Sequence, residues 1–450
     1  MLARARLPFA FGTRFFVALL LGLIWLVPAW WSPRLIAAMF LWDAVVLAVW
    51  LFDLLRLPAP AQLEVRRSWK SALSLARPAT VEIELENHSR TPIHASVVDE
   101  TPPALRDQPP TIEIAVRGAD PVRAEYSIVP RTRGDVVLGR LFLRYQTSLR
   151  FAERWAAADL AQTVRVLPDL QQAQRYALYL IRSRQVEMEK RRRRQRGMGR
   201  EFEALREYRQ EDDMRDICWP ATARRHQLIT RTYRIERSQT VWIVLDAGRL
   251  LRAQVEDPNR DFRLSKLDYA VDAALSLAQV ASQYGDRVGL LAYGRAIQRS
   301  VGVGKGAPHL RTILDSLSQI RGETAEANHA LAARALLRTQ SRRSLIIWIT
   351  DFAETPMTPE VIEYAAQMSR RHLVIFAAVT QPDLLALGRS IPQTEEEMFR
   401  HAAALEVIHR RELLLRGLRE RGVLAVDLAP GALSDSLINQ YLEVKDRSLL

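Results

Sequence analysis

The run Thr240-Val-Trp-Ile-Val-Leu-Asp246, followed by Ala-Gly-Arg-Leu250, constrains this chain more than any other stretch. It is apolar without alternation, partly β-branched, and stops abruptly at a carboxylate and a glycine two residues on. Such a run predicts a strand of a parallel sheet, buried on both faces. Its carboxylate then stands at the strand's carboxyl end, where open α/β sheets bind ligands. A second run, Ser344-Leu-Ile-Ile-Trp-Ile-Thr-Asp351, ends the same way. Together they predict one sheet edge that carries Asp246 and Asp351.

Residues 240–450 alternate strand and helix patterns. Strands are predicted at Thr240–Asp246, Arg287–Tyr293, Gln298–Val303, Ser344–Asp351, His372–Val379 and Val423–Leu428, with helical spacing between them. The alternation predicts an α/β domain with a doubly wound, mostly parallel six-stranded sheet. No glycine-rich phosphate loop follows the first strand, and Gly302-Val-Gly304-Lys-Gly306 lacks Walker spacing, so a nucleotide fold is not expected.

The amino-terminal sixty residues have a different character. Phe15–Trp31 and Leu35–Leu55 are apolar runs, the second interrupted by Asp43 and Asp53. At ~1.5 Å per helical residue each reaches roughly 25–31 Å, the thickness of a hydrocarbon core. The short connector between them predicts a transmembrane helical hairpin over 1–60. Pro28-Ala-Trp-Trp31 is a poor cleavage site, which argues against a removed signal peptide. Arg4, Arg6 and Arg14 precede the hairpin, Arg56, Arg66, Arg67 and Lys70 follow it, and Arg34 alone lies between. That asymmetry predicts two spans of a bacterial inner membrane, with the amino terminus and the soluble body cytoplasmic. Asp43 is read as a polar contact to a neighbouring helix, and Asp53 as an interfacial residue needing no explanation.

Residues 61–167 turn to period-two alternation, as in Thr80-Val-Glu-Ile-Glu-Leu-Glu86, with turn clusters between. They predict a small β-sandwich serving as a spacer or adhesion-type module; His88 and His94 are read as surface histidines. Residues 168–239 predict a basic helical connector, with helical spacing from Leu170 to Glu189 running into Lys190–Arg196. The arginines of 191–196 read either as a nucleic-acid tract or as a solvated helix end touching anionic lipid. Interleaved acids and the lack of aromatic stacking partners favour lipid; no specific nucleic acid is expected. The net charge of +13 suits anionic partners in general, and the single cysteine, Cys218, excludes an intramolecular disulfide.

Within the connector stands Gly199-Arg-Glu-Phe-Glu-Ala-Leu-Arg-Glu-Tyr-Arg-Gln-Glu-Asp-Asp-Met-Arg-Asp-Ile-Cys-Trp219, then Ala223-Arg224. It resembles the signature of a bacterial membrane-anchored family of unknown function, domain of unknown function fifty-eight. Glu201, Phe202, Leu205, Arg206, Tyr208, Asp212, Asp213, Arg215, Ile217, Trp219, Ala223 and Arg224 fit the pattern. Glu211 departs from a usual glycine and Cys218 from a usual aspartate. The resemblance implies a membrane hairpin, a β module, a von Willebrand factor A-like domain, and association with MoxR-type AAA+ ATPases. Physically the segment is dense in opposite charges, which predicts a clasp built on Arg–carboxylate forks with Tyr208 and Trp219 as apolar anchors. Cys218 is read as simply buried.

Asp246-Ala-Gly-Arg-Leu250 stands where von Willebrand factor A domains carry Asp-x-Ser-x-Ser. That resemblance implies a Mg²⁺ site in which Asp246 and Asp351 match the two acids and Thr324 is the candidate threonine. Gly248 and Leu250 occupy the places of the two serines. Mg²⁺ needs about six oxygens in near-octahedral array, so a metal-free or weakly metal-binding edge is expected. The functional expectation is a non-enzymatic, membrane-anchored protein-binding adaptor. Its edge, around Asp246, Gly248, Thr324 and Asp351, would recruit a MoxR-type ATPase or its client. The competing expectations are a metal-dependent hydrolase at the same edge and lipid or nucleic-acid binding through Arg191–Arg196.

Overall fold

A computed structural model of the chain describes residues 2–30, 35–117, 120–169, 201–209, 214, 217–234, 239–256, 263–352 and 358–447. The predicted helix Leu170–Glu189, the run Lys190–Arg196, and Asp212, Asp213 and Arg215 lie outside these, as do the side chains of Glu201 and Phe202. The sheets are several, mostly antiparallel, with one larger mixed sheet. The chain divides into two compact units, residues 1–167 and 168–450.

The first unit opens with strand β1 (Leu2–Phe11), followed by helix α1 (Thr13–Gly22), a 3₁₀ turn, α2 (Leu26–Ala29) and α3 (Leu35–Arg56). Nine strands follow: β2 (Leu63–Trp69), β3 (Ala79–Asn87), β4 (Ile93–Asp99), β5 (Thr111–Val116), β6 (Val122–Ile128), β7 (Gly134–Leu138), β8 (Leu141–Gln146), β9 (Ala152–Ala158) and β10 (Gln162–Val166). They make antiparallel sheets in the orders β1-β9-β8-β4-β5, β2-β3-β6 and β10-β7. The alternation in sequence becomes alternation in burial: Val81, Ile83 and Leu85 of β3 are fully buried while Glu82, Glu84 and Glu86 are half-exposed. Arg67 of β2 and Tyr126 of β6 both bond Asp99 at the end of β4, the tyrosine at 2.6 Å, and so tie two sheets together. A buried pair of this kind needs every lone pair met, and Asp99 has three donors on it.

Two details differ from the sequence reading. Residues 2–11 form an edge strand on β9 rather than only the approach to a helix. The alternating Ala3-Arg-Ala-Arg-Leu7 carries that signal, and the adjoining apolar run overshadows it. Asp53, expected to need no explanation, is fully buried. It accepts from the Thr147 hydroxyl and, at 2.9 Å each, from the amides of Phe151 and Ala152. Arg154 donates to the carbonyls of Leu54 and Pro58, and Tyr145 to that of Pro58. The end of α3 is therefore clamped to the β8–β9 turn, whose amides lack strand partners.

Helix α3 is long and apolar enough to cross a membrane: Ile36–Arg56 has a mean hydropathy of 2.0, and 17% of its most apolar stretch is buried within the protein. The Trp42 indole donates to the Ala18 carbonyl of α1 at 2.8 Å, and Gly22 lies against Trp42 and the half-buried Asp43.

The second unit begins with an antiparallel ribbon of β11 (Glu201–Glu207) and β12 (Ile229–Arg234), with α4 (Trp219–Arg225) between them. The described part of the connector is thus a ribbon with one short helix between its strands, while the helix predicted over Leu170–Glu189 lies outside the described residues. Trp219 is 66% exposed at the start of α4 and is no apolar anchor. Tyr208 is half-buried, Leu205 and Arg224 are exposed, and the Arg206 guanidinium donates to the Glu207 carbonyl. Cys218 is buried, its amide bonded to the Ile229 carbonyl.

Then come β13 (Thr240–Asp246), the two-residue pair β14 (Gln254–Val255) and β15 (Leu264–Ser265), α5 (Lys266–Gln283), β16 (Arg287–Tyr293) and β17 (Ile297–Gly304). After these follow α6 (Gly306–Ser318), α7 (His329–Thr339), β18 (Leu345–Thr350), α8 (Thr358–Ser369), β19 (Leu373–Val379), α9 (Pro382–Arg389), α10 (Glu395–Glu420), β20 (Leu424–Leu428) and α11 (Leu433–Asp446). The six-stranded sheet has the order β17-β16-β13-β18-β19-β20, parallel throughout except for β17, which runs antiparallel to β16. Both faces are covered. Val241, Ile243 and Leu245 pack with α5 and α11, while Trp242 and Val244 pack with α7, α8 and α10. That double burial is why β13 reads as an unbroken apolar run. Gly289, opposite Trp242 in the ladder, leaves room for the indole; a Cβ there would stand 2.8 Å from it.

Candidate functional site

Adjacent parallel strands β13 and β18 deliver Asp246 and Asp351 to one end of the sheet. Both are buried, yet their surroundings differ. Asp246 Oδ1 accepts from the Gly248 amide at 2.7 Å and Oδ2 from the Thr350 hydroxyl at 2.7 Å. Burial pushes its carboxyl up to about 7, those two bonds opposing the shift and the charges of Asp351 and Glu323 adding to it. Asp351 Oδ2 accepts from Lys266 Nζ at 2.7 Å; Oδ1 accepts from Arg411 and, at 2.7 Å, from the Phe352 amide. Arg411 also holds Asp427 at 2.7 Å, which completes a four-membered network of alternating charge.

Local sequence explains the placement of these groups. Ser265 caps α5 through a capping box with Asp268, which sets Lys266 as the first helical residue, pointing back at the sheet edge. Its side chain is 3% exposed. The loop before α7 braces the loop after β13: the Glu323 amide donates to the Ala247 carbonyl, and the Arg249 amide to the Ala325 carbonyl. Glu323 is fixed in turn by the Arg295 amide and Gln298.

A recess opens beside the acids. Asp246, Gly248 and Asp351 lie in it together with Leu250, Phe352, Val361 and His329, while Arg249 and Glu326, 3.2 Å apart and exposed, also line it. His329 is bonded through Nδ1 to the Tyr293 hydroxyl at 2.7 Å, which accepts from the Trp348 indole at 2.7 Å. Burial pulls the imidazole down to about 4, so it is neutral at physiological pH.

The donors do not fit a divalent ion. Both oxygens of Asp351 are taken by two cations and an amide. Gly248 and Leu250 offer no side-chain oxygen, and a Cβ at Gly248 would lie 2.8 Å from Ala327, so a serine has no room there. Thr324 is exposed and makes no hydrogen bond to either acid among the described residues; the hydroxyl on Asp246 belongs to Thr350. Mg²⁺ would keep about six oxygens, and among the described residues this edge presents only Asp246 and the Thr350 hydroxyl bonded to it. Among the described residues, the one acidic–histidine grouping with metal-like spacing is the surface set Glu64, Glu86 and His88.

Sequence reasoning brought Asp246, Gly248 and Asp351 to one edge, where the structure has them. It missed Lys266, Thr350, His329, Tyr293 and Arg411. A lysine directly after a capping serine was a weak signal for the first. Arg411 sits in a helix so rich in charge that no single arginine stands out.

Residues 204–393 match the family described as "Protein of unknown function DUF58". Uncharacterised proteins of Mycobacterium tuberculosis and Mycobacterium bovis are 30% identical over 161 residues, which is 35% of this chain and 48% of theirs. The chain thus spans about half the length of the curated relatives it matches. Among solved structures, a PapD-like domain of human CEP192 is 13% identical, covering 25% of this chain and 90% of that domain, at a TM-score of 0.19. Proximal thread matrix protein 1 of the mussel byssus is 11% identical, covering 45% of this chain and 46% of its own, at a TM-score of 0.27. Likenesses at those scores carry no argument about fold or function. Over residues 204–393, which include the sheet edge, the chain is therefore similar to a family whose function is unknown, and it shares that likeness with uncharacterised mycobacterial proteins.

Proposed function

We propose that the chain is a non-enzymatic, membrane-anchored binding protein that presents the recess at Asp246 to a partner protein. The observation that carries this reading is the division of labour between the two acids. Asp351 is locked into an internal charge network, as a structural group would be. Asp246 lines a recess with apolar walls and has no counter-ion among the described residues, an arrangement suited to a ligand that arrives from outside. The domain would be a von Willebrand factor A-like fold adapted to work without a metal, and by resemblance alone its partner would be a MoxR-type AAA+ ATPase or that enzyme's client.

For the anchor, we read α1–α2 and α3 as two spans of a bacterial inner membrane, with the body cytoplasmic. Pairing of β1, before the helices, with β9, after them, supports an even number of crossings, because both flanks build one sheet. Arg14 and Arg56 at the two helix ends agree with a cytoplasmic side.

The test is in-cell photocrosslinking with a benzophenone amino acid at Arg249, on the recess, and at Glu395, exposed at the start of α10 away from it. Discrete adducts specific to position 249 are expected. Identical adduct patterns at the two positions, or none at 249, would remove the recess as an interface.

A further inference from the structure

The charges around the recess do not balance. Asp351 is met by Lys266 and Arg411, and Glu326 by Arg249. Asp246 has no Lys, Arg or His within ion-pair distance among the described residues, although it is 3% exposed. His329, neutral and held by Tyr293, brings no positive charge. A buried carboxylate facing a lined recess with only neutral donors on it is a counter-ion waiting for its cation.

Its hydrogen bonds leave acceptor capacity for one. A carboxylate offers about four lone-pair sites, and the Gly248 amide and Thr350 hydroxyl occupy one each. Leu250, Phe352 and Val361 give apolar surface against which a methylene stem can lie. A divalent ion does not suit the site, for want of oxygens. An incoming carboxylate would meet Asp246 with no unpaired cation to offset the repulsion.

We propose that the recess receives a basic side chain, an arginine or lysine of the partner protein, with Asp246 as its counter-ion. This rests on the protein-binding reading above, and it puts a cation supplied by the partner where the von Willebrand factor A resemblance would have a metal ion. Arginine fits best, since its planar fork can use both remaining lone-pair directions of one carboxylate.

The test uses the full chain in detergent and follows its thermal unfolding with Nα-acetyl-arginine amide, Nα-acetyl-aspartate amide or Mg²⁺ added. A saturable rise in melting temperature with the arginine amide is expected, and none with the other two. Asp246→Asn, which keeps the shape and the Gly248 bond and reverses the other so that its amide donates to the Thr350 hydroxyl, should lose that rise while still melting cooperatively. Leu250→Trp, which puts a larger apolar side chain into the recess and leaves the Asp246 carboxylate in place, should lose it as well. An equal rise in either variant, or a larger one with the aspartate amide or Mg²⁺, overturns the assignment. Failure here with discrete adducts from position 249 removes the basic side chain and leaves the interface. The arginine response without any adduct keeps the site's chemistry and removes the protein partner.

Discussion

At the scale of the residue, Asp246 is the group whose titration should be visible. Its folded-state carboxyl lies above its ordinary value of 3.8, at about 7, because burial disfavours the ion and because Asp351 and Glu323 face it. The folded chain therefore binds a proton that the unfolded chain has released. The stability this confers is fully present below 3.8 and is lost as pH rises through about 7. Asp246→Asn should raise the melting temperature above neutral pH and flatten its fall across that window. A fall of unchanged slope in the variant would place the titrating group elsewhere. Lys266 makes the opposite case, a buried charge whose partner is already supplied. Lys266→Met should destabilise the fold by about 3 kcal/mol, as breaking a buried pair does, and adding Asp351→Asn should recover part of that loss. Denaturant titration followed by tryptophan fluorescence decides it, and an additive double variant would mean that the pair is not coupled.

At the scale of the element, the ends of strands and helices do the positioning. β13 and β18 place the acids, the capping box of α5 turns Lys266 back over the edge, and α10 supplies Arg411 from the far side. In the first unit the last turn of α3 does the equivalent work through Asp53. Asp53→Ala leaves two amides and a hydroxyl without their acceptor, and should cost about 3 kcal/mol of stability. Limited proteolysis should then cut between α3 and β2, where the wild type resists; an unchanged digest would show that the clamp is dispensable. The strand runs from residue 240 onward coincide with β13 and β16–β20 to within a residue at each end. The ribbon of β11 and β12 was not legible, because each strand is short and charged and is defined only by its partner.

At the scale of the whole molecule, the membrane reading makes its own prediction. With Cys218→Ser as background, cysteines at Arg90 and Glu395 should escape a membrane-impermeant maleimide in spheroplasts and react after lysis, and the chain should resist carbonate extraction. Labelling of either position before lysis would refute the cytoplasmic placement. Sequence by itself determined which segments are apolar, which alternate, and that two strand runs finish on carboxylates, because burial on one face or two writes a local period into the chain. Tertiary structure alone decided what those carboxylates became. Whether an acid is neutralised depends on side chains dozens of residues away, Lys266 and Arg411 for Asp351 and, among the described residues, none for Asp246, and electrostatics acts through space rather than along the chain.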